Sequence, residues 1–207
     1  MKVYDCKGRA LSKDELDEIV NEVKAGNLIV YPSETVYGIG ADIFDETAAM
    51  KVFLAKNRPL DMPLSVGVAD KEMAKKIAVI DEYAEKLIDA FMPGPLTIIV
   101  KKRNVPDLVT SNSQKVGIRI PDHPVAMQII KRTGPIVATS ANLHSHPDTV
   151  TVEEAMDDLK ETVSIYIDSG PCTLGKPSTI VWLNGCEVEI IRSGAITKEQ
   201  IEGILRC

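Results

Sequence analysis

Aromatic residues make up only 4% of the 207-residue chain, which holds a single Trp. The stacking platforms that grip single-stranded or loop RNA are therefore scarce. Positive charge is in the minority too: 24 Lys and Arg against 30 Asp and Glu leave a net charge of −6. That balance disfavours a sequence-blind grip on nucleic acid through a broadly basic surface, while leaving room for a local basic pocket. The four cysteines, Cys6, Cys172, Cys186 and Cys207, include no C-x-x-C pair. They read as four free thiols in a reducing compartment and speak against a zinc site. No apolar run approaches the roughly 18 residues of a membrane span, and stretches such as Leu96 to Val100 are strand-sized. The N-terminus, MKVYDCKGRALSKDE, lacks the apolar core of a secretory signal. The expectation is a cytoplasmic protein with no membrane partner.

What is present is the composition of an ordinary globular protein, 44% hydrophobic and 26% charged. Ser12-x-x-Glu15 is a capping box ahead of Leu16, Ile19, Val20 and Val23 at helical spacing, with Gly26 as the stop. Leu28 to Tyr31 reads as a strand, and PSETVYGIGAD (Pro32 to Asp42) as an ordered loop. Asp45 to Lys56 is helical, Leu64 to Val68 a strand, and Asp70 to Met92 one broken or two short helices. Strands follow at Leu96 to Lys101 and Val116 to Ile120, a helix at Pro124 to Arg132, and a strand at Ile136 to Thr139. Thr151-x-x-Glu154 caps a helix, Val163 to Ile167 and Thr179 to Leu183 are strands, and Asn184-Gly185 reads as a type I′ turn into Glu187 to Ile191. Thr197-x-x-Gln200 caps a last helix with Ile201, Ile204 and Leu205 inward. Interleaved strands and helices with a hairpin give an α/β fold on a twisted, mixed sheet. With no linker, repeat or low-complexity tract, residues 1–207 read as a single domain.

Two nucleotide motifs nearly appear and fail on their mechanics. Gly170-PCTL-Gly175-Lys176 resembles a P-loop, but Pro177 stands where a hydroxyl is required, and STIVWL after it is a strand rather than a phosphate-binding helix. Gly38-x-Gly40 lacks the third glycine of a dinucleotide fingerprint, Ile43 standing in its place. His123, His144 and His146 supply no carboxylate or Cys partner for a metal and read as loop residues. The informative signal is a set of polar and basic residues at strand ends: Lys56 and Arg58, Arg119 in VGIRIPDHP, Thr139, Ser140 and Asn142 in IVATSAN, and Arg192. In an open α/β sheet the ligand crevice lies outside the strand carboxyl ends, and four cations converging there suit an anionic ligand. Each has a plainer reading. Lys56 complements a helix C-terminus, Arg192 is a rung of a hairpin, and the hydroxyls and amide satisfy backbone groups.

Eight segments occur in the order found in the YrdC-like family of threonylcarbamoyl-AMP synthases, and the resemblance spans nearly the whole chain. They are YPSETVYGIG (Tyr31 to Gly40), KNRP (Lys56 to Pro59), PLSV (Pro63 to Val66), PGPLT (Pro93 to Thr97), VGIRIPDHP (Val116 to Pro124), PIVATSANLHSHP (Pro135 to Pro147), STIVW (Ser178 to Trp182) and IRSGAIT (Ile191 to Thr197). The resemblance implies a twisted sheet around a large concave, positively charged cavity. It implies conversion of L-threonine, bicarbonate and ATP, brought with Mg²⁺, to threonylcarbamoyl-adenylate and pyrophosphate. The adenylate would then serve a separate transferase complex that modifies adenosine 37 of tRNAs reading ANN codons. By motif, Lys56, Arg58, Ser140 and Asn142 are expected to bind the ATP phosphates and orient the carbamate, with Arg192, Lys115 and Thr149 as further nucleotide contacts. Thr35, Arg119, Thr139 and Ser178 are expected to hold L-threonine, Arg119 pairing with its carboxylate.

Against the family pattern, Met62 replaces the usual Asn, Gly67 a frequent His, His144 and Ser145 a Ser-Gly pair, Ser193 a Pro, and Trp182 an acidic residue. A carbamoyl-adenylate-forming enzyme fed by carbamoyl phosphate is the neighbouring reading, although its known hosts carry zinc-finger and acylphosphatase-like segments absent here. An RNA-binding or ribosome-assembly factor making weak local RNA contact is the reading from another class.

Overall fold

The computed structural model describes residues 1–205. Its elements in chain order begin with β1 (Lys2–Asp5), α1 (Lys13–Lys24), β2 (Ile29–Tyr31), β3 (Gly38–Gly40), α2 (Glu46–Ala55) and β4 (Val66–Gly67). They continue with α3 (Lys71–Ile77), α4 (Glu82–Phe91), β5 (Leu96–Lys101), β6 (Lys115–Arg119), α5 (Pro124–Thr133), β7 (Ile136–Val137) and β8 (Thr139–Ser140). The last are α6 (Val152–Leu159), a 3₁₀ turn at Lys160–Thr162, β9 (Ile165–Asp168), β10 (Thr179–Asn184), β11 (Glu187–Arg192) and α7 (Lys198–Leu205).

Local chemistry explains the helix ends. Ser12 Oγ accepts the Glu15 N–H while the Glu15 carboxylate accepts the Ser12 N–H, and Thr151 with Glu154 repeats the exchange. Thr197 and Gln200 do the same ahead of α7. Asp45, Asp70 and Asp81 cap α2, α3 and α4. His123 is no idle loop residue: its Nδ1 accepts the Val125 N–H at the start of α5.

The α/β alternation holds, but the strands divide into two mixed sheets rather than one: β1-β9-β2-β3-β8 and β11-β10-β5-β6-β4-β7. Several expectations are corrected. β1 was unforeseen, since only Tyr4 of its four residues is buried and no alternation marks it. Gly38–Gly40, read as loop, is a strand antiparallel to β2; a Cβ on Gly38 would come within 3.0 Å of the Tyr31 ring, so glycine is what lets the pair close. The single strand at Ile136 to Thr139 breaks at Ala138, so that β7 joins the six-stranded sheet through β4 and β8 the five-stranded sheet through β3. The 64–68 strand shrinks to Val66–Gly67. Asn184 pairs with Glu187, leaving Gly185-Cys186 as the hairpin loop; Gly185 takes φ 62° and Cys186 no positive φ, the type II′ pattern, so the expected type I′ turn at Asn184-Gly185 is replaced in both position and type. Ile204 faces solvent while Ile201 and Leu205 are buried.

Two apolar cores result. The larger lies under α2, α3, α4, α6 and α7; the smaller joins α1 and α5 to the five-stranded sheet through Ile19, Val23, Ile129, Ile130, Ile29 and Ile165. Cys6, Cys172 and Cys186 form no disulfide, and Cys207 lies outside the described residues. Among the described residues no helix is long and apolar enough to cross a membrane.

Candidate functional site

Alternate residues of three adjoining strands face a cavity of about 610 Å³. They are Thr97 and Ile99 on β5, Lys115, Gly117 and Arg119 on β6, and Ile180 on β10 with Ser178 just ahead of it. Tyr31, Gly38, Thr139 and Ser140 of the five-stranded sheet also line it, and the loop from Arg58 to Ser65 and Ile191–Arg192 complete it. The crevice therefore lies on a sheet face between the two sheets, not beyond strand carboxyl ends as the open-sheet rule suggested. β7, Ala138 and β8 form the seam: Ala138 N–H donates to Ser65 O at 2.8 Å and Ala141 N–H to Tyr37 O at 2.8 Å, which fixes Thr139 and Ser140 at the wall.

The basic lining residues are Arg58, Lys115, Arg119 and Arg192, and Asp61 is the one acidic lining residue. Three of the four are tethered. Arg119 donates through Nη2 to Glu34 Oε1 at 2.6 Å and through Nε to Gly94 O at 3.2 Å; Glu34 Oε2 also accepts the Asp122 N–H at 3.1 Å. Arg192 donates through Nε and Nη2 to Ser178 O at 3.2 and 2.9 Å and through Nη2 to Ser178 Oγ at 3.1 Å, and that hydroxyl is 2.9 Å from Thr97 Oγ1. Arg58 folds its own loop by donating to Met62 O at 3.0 Å and Pro63 O at 2.9 Å. Partial burial first, and then the charge of Arg192, lower the Arg58 pKa from its ordinary value. Lys115 instead lies over the Trp182 ring, 3.5 Å from its centroid.

Of the expected site residues, Arg58, Lys115, Arg119, Thr139, Ser140, Ser178 and Arg192 are brought together on this lining. Thr35, Lys56, Asn142 and Thr149 are buried and do not line it. Lys56 is the most telling. Its ammonium donates to the carbonyls of Ser140 and Asn142 and, at 3.2 Å, to Asn142 Oδ1, so its three donors are committed to the segment that carries Ser140. Burial, and secondarily the Arg58 charge, push its pKa down to about 7. Asn142 Nδ2 in turn donates to His146 O at 2.7 Å, and His146 Nδ1 is 3.0 Å from Asp158 Oδ1. Thr35 Oγ1 is 2.9 Å from Ser33 Oγ, and Thr149 Oγ1 is a buried hydroxyl without a hydrogen-bond partner among the described residues. Met62 lines the cavity, whereas Gly67 is buried in β4 and does not. Gly170 to Lys176 runs between β9 and β10, so a strand follows it.

Sequence reasoning passed over Glu34. The signal available was an acidic residue inside the otherwise uncharged YPSETVYGIG segment. Trp182, the perch of Lys115, was noted only as a departure from the family pattern.

The Sua5/yciO/yrdC family model, described as telomere recombination, matches residues 21–194. A relative from Methanocaldococcus jannaschii named putative threonylcarbamoyl-AMP synthase is 36% identical over 208 residues, 100% of this chain and 97% of its own. The Bacillus subtilis protein named threonylcarbamoyl-AMP synthase is 36% identical over 187 residues, covering 88% of this chain and 54% of its own. Among solved structures, P. abyssi Sua5 complexed with L-threonine matches with a TM-score of 0.94 and 31% identity, over 99% of this chain and 61% of that one. The chain thus spans nearly all of one relative and little more than half of others. Agreement in sequence along this whole length, together with the same arrangement of strands and helices, means that the chain belongs to the Sua5/YciO/YrdC family.

Proposed function

We propose that this chain forms L-threonylcarbamoyl-AMP and pyrophosphate from L-threonine, bicarbonate and ATP, as a nucleotidyl-transferring enzyme. The observation that carries the proposal is the convergence of Arg58, Lys115, Arg119 and Arg192 on one cavity, in a fold that matches the threonine-bound P. abyssi structure over nearly every residue. Condensation of the threonine amine with bicarbonate releases water and leaves a carbamate. A carbamate oxygen then attacks the α-phosphorus of ATP, the bond from that phosphorus to the bridging oxygen breaks, and pyrophosphate departs. Both reactants are anions, so bringing them together demands the positive charge that the lining supplies. The amine and the carbamate are themselves nucleophiles, and no general base is assigned. The work of the protein is positioning and exclusion of water from a labile intermediate.

In this reading Arg119, with Thr139 and Ser178 beside it, takes the threonine carboxylate, while Arg58, Lys115, Ser140 and Arg192 face the nucleotide. Lys56 and Asn142 act as positioning residues, holding the Ser140 segment rather than touching phosphate. Thr35 and Thr149 support the wall. Mg²⁺ arrives with ATP as part of the substrate; a lining with a single carboxylate, Asp61, suits a metal carried mainly by phosphate oxygens. The product is a reactive mixed anhydride, which calls for an acceptor enzyme close at hand, the tRNA threonylcarbamoyl transferase step in the cytoplasm.

The test is pyrophosphate release with mass detection of the adenylate, in reactions containing MgATP, bicarbonate and a panel of amino acids. Release that needs L-threonine and bicarbonate together supports the proposal. Release supported by carbamoyl phosphate without threonine, or none under any condition, overturns it.

A further inference from the structure

Lys115 differs from the other three cations of the cavity. Arg58, Arg119 and Arg192 each spend donors on fixed protein oxygens, whereas Lys115 has no ion pair or side-chain hydrogen bond among the described residues and meets only the face of Trp182. The sheet explains how the two meet. Trp182 on β10 is in register with Ile99 on β5, and Ile99 with Gly117 on β6. Lys115 is two residues from Gly117 and shares its face. Gly117 carries no side chain on that face, and Ser65 Oγ and Thr97 Cγ2 lie 3.1 and 3.4 Å from where its Cβ would stand. Lys115 is also directly opposite Lys101 in the antiparallel pair, and like charges in that relation repel, which favours the lean toward the ring.

A carboxylate in place of the indole would hold the ammonium by neutralising it. An aromatic face holds it while leaving its charge in place, and with one side of the ammonium on the ring the other N–H groups remain free for an anion. Lys115 is exposed on a flexible four-carbon stem, so a preformed perch removes part of the entropy cost of fixing it against a ligand.

We propose that Trp182 is a positioning residue for nucleotide binding, holding Lys115 over the cavity with its charge unspent so that the ammonium meets the polyphosphate of ATP without leaving the ring. This rests on the ATP-dependent reading above, and the experiment separates the two. Wild-type pyrophosphate release tests the reaction itself. Direct MgATP binding by calorimetry, in wild type and variants, tests the perch.

Trp182→Leu is expected to weaken MgATP binding about 3- to 10-fold. Trp182→Phe should keep most of the affinity, and Trp182→Asp, which neutralises Lys115, should weaken it at least as much as Trp182→Leu. The deciding measurement is the cycle with Lys115→Met: once the ammonium is gone, Trp182→Leu should have no further effect, whereas a merely structural Trp would cost the same in both backgrounds. Because Trp182 is the only Trp, its emission should respond to MgATP in wild type and lose that response in Lys115→Met. Thermal unfolding confirms that each variant is folded. Unchanged or tighter binding in a folded Trp182→Leu, or equal losses in both backgrounds, overturns the proposal even if wild type turns over.

Discussion

Arg119 Nη2 and Glu34 Oε1 are 2.6 Å apart, and the two side chains are only 12% and 9% exposed. The guanidinium that faces the cavity is therefore held from behind by a carboxylate on the loop between β2 and β3. Glu34 also ties in the Asp122 amide, and its carbonyl accepts the Leu174 N–H and the Thr173 hydroxyl, so one residue joins three segments of the wall. Breaking a buried pair by removing one charge leaves the other uncompensated, at a cost of about 3–5 kcal/mol when both are fully buried. Glu34→Gln keeps a hydrogen-bond acceptor but not the charge. It should destabilise the fold by about 1–3 kcal/mol and raise the KM for L-threonine about tenfold with a much smaller change in kcat. Glu34→Asp should not rescue, because its shorter stem cannot span the gap. Steady-state kinetics with chemical denaturation decide it, and an unchanged threonine KM in Glu34→Gln would remove Glu34 from the site.

Lys56 makes a prediction about pH. Its pKa is about 7 in the folded chain against an ordinary 10.5, so between those values the unfolded chain binds a proton that the native chain does not. Stability contributed by this group is absent below about pH 7, grows as pH rises, and is complete above about 10.5. Lys56→Met lacks this titration. The stability of wild type relative to Lys56→Met should therefore rise with pH over that window, with a slope of at most about 1.4 kcal/mol per pH unit. Urea unfolding of both proteins at pH 6.5, 8 and 9.5 measures it. A flat difference would mean that the ammonium stays charged throughout.

Arg58 should control its own loop. Its bonds to Met62 O and Pro63 O close the segment from Asn57 to Pro63, whose Leu60 and Met62 are exposed. Arg58→Ala removes both bonds and should speed chymotryptic cleavage after Leu60 several-fold, while a core helix such as α5 remains resistant. Arg58→Lys should be nearly as labile, since one ammonium on a flexible stem does not reproduce a planar fork. Equal cleavage rates in all three proteins would show that the loop does not depend on the arginine.

How far the sequence announced this structure depends on how local the causes were. The three capping boxes, at Ser12, Thr151 and Thr197, were readable because donor and acceptor sit three residues apart. β1 was hidden because its partner β9 lies more than 160 residues away and its burial shows no alternation. The split of 136–140 between two sheets was hidden too, since it is set by β3 and β4 rather than by anything in IVATS. The site behaves alike. Arg58, Arg119 and Arg192 stood out as charges near strand ends; Arg58 is held by its own loop, whereas the partners of Arg119 and Arg192 come from other segments, as do the carbonyls that meet the Lys56 ammonium, and spacing could not announce them.

Two glycines offer opposite outcomes for the same substitution. A Cβ on Gly194 would come within 2.6 Å of the Ser178 carbonyl carbon, and closer still to Pro177 O and Thr179 N, all of them backbone atoms that cannot swing aside. Gly194 lies two residues beyond Arg192, which donates to Ser178, so the strain falls on the segment that joins these two cavity residues. Gly194→Ala should cost about 1–3 kcal/mol of stability and weaken MgATP binding as the Arg192–Ser178 contact shifts. Gly203 lies inside α7 and is exposed, and among the described residues no atom beyond its own helix lies within 4 Å of where its Cβ would stand. Gly203→Ala should stabilise the chain by about 0.5–1 kcal/mol, by lowering the backbone entropy of the unfolded state, and leave MgATP binding unchanged. Chemical denaturation of both variants beside calorimetric MgATP titration reads all four quantities. If Gly194→Ala were as stable as wild type and bound ATP equally well, the close approach of the 177–179 backbone would not be what demands a glycine there.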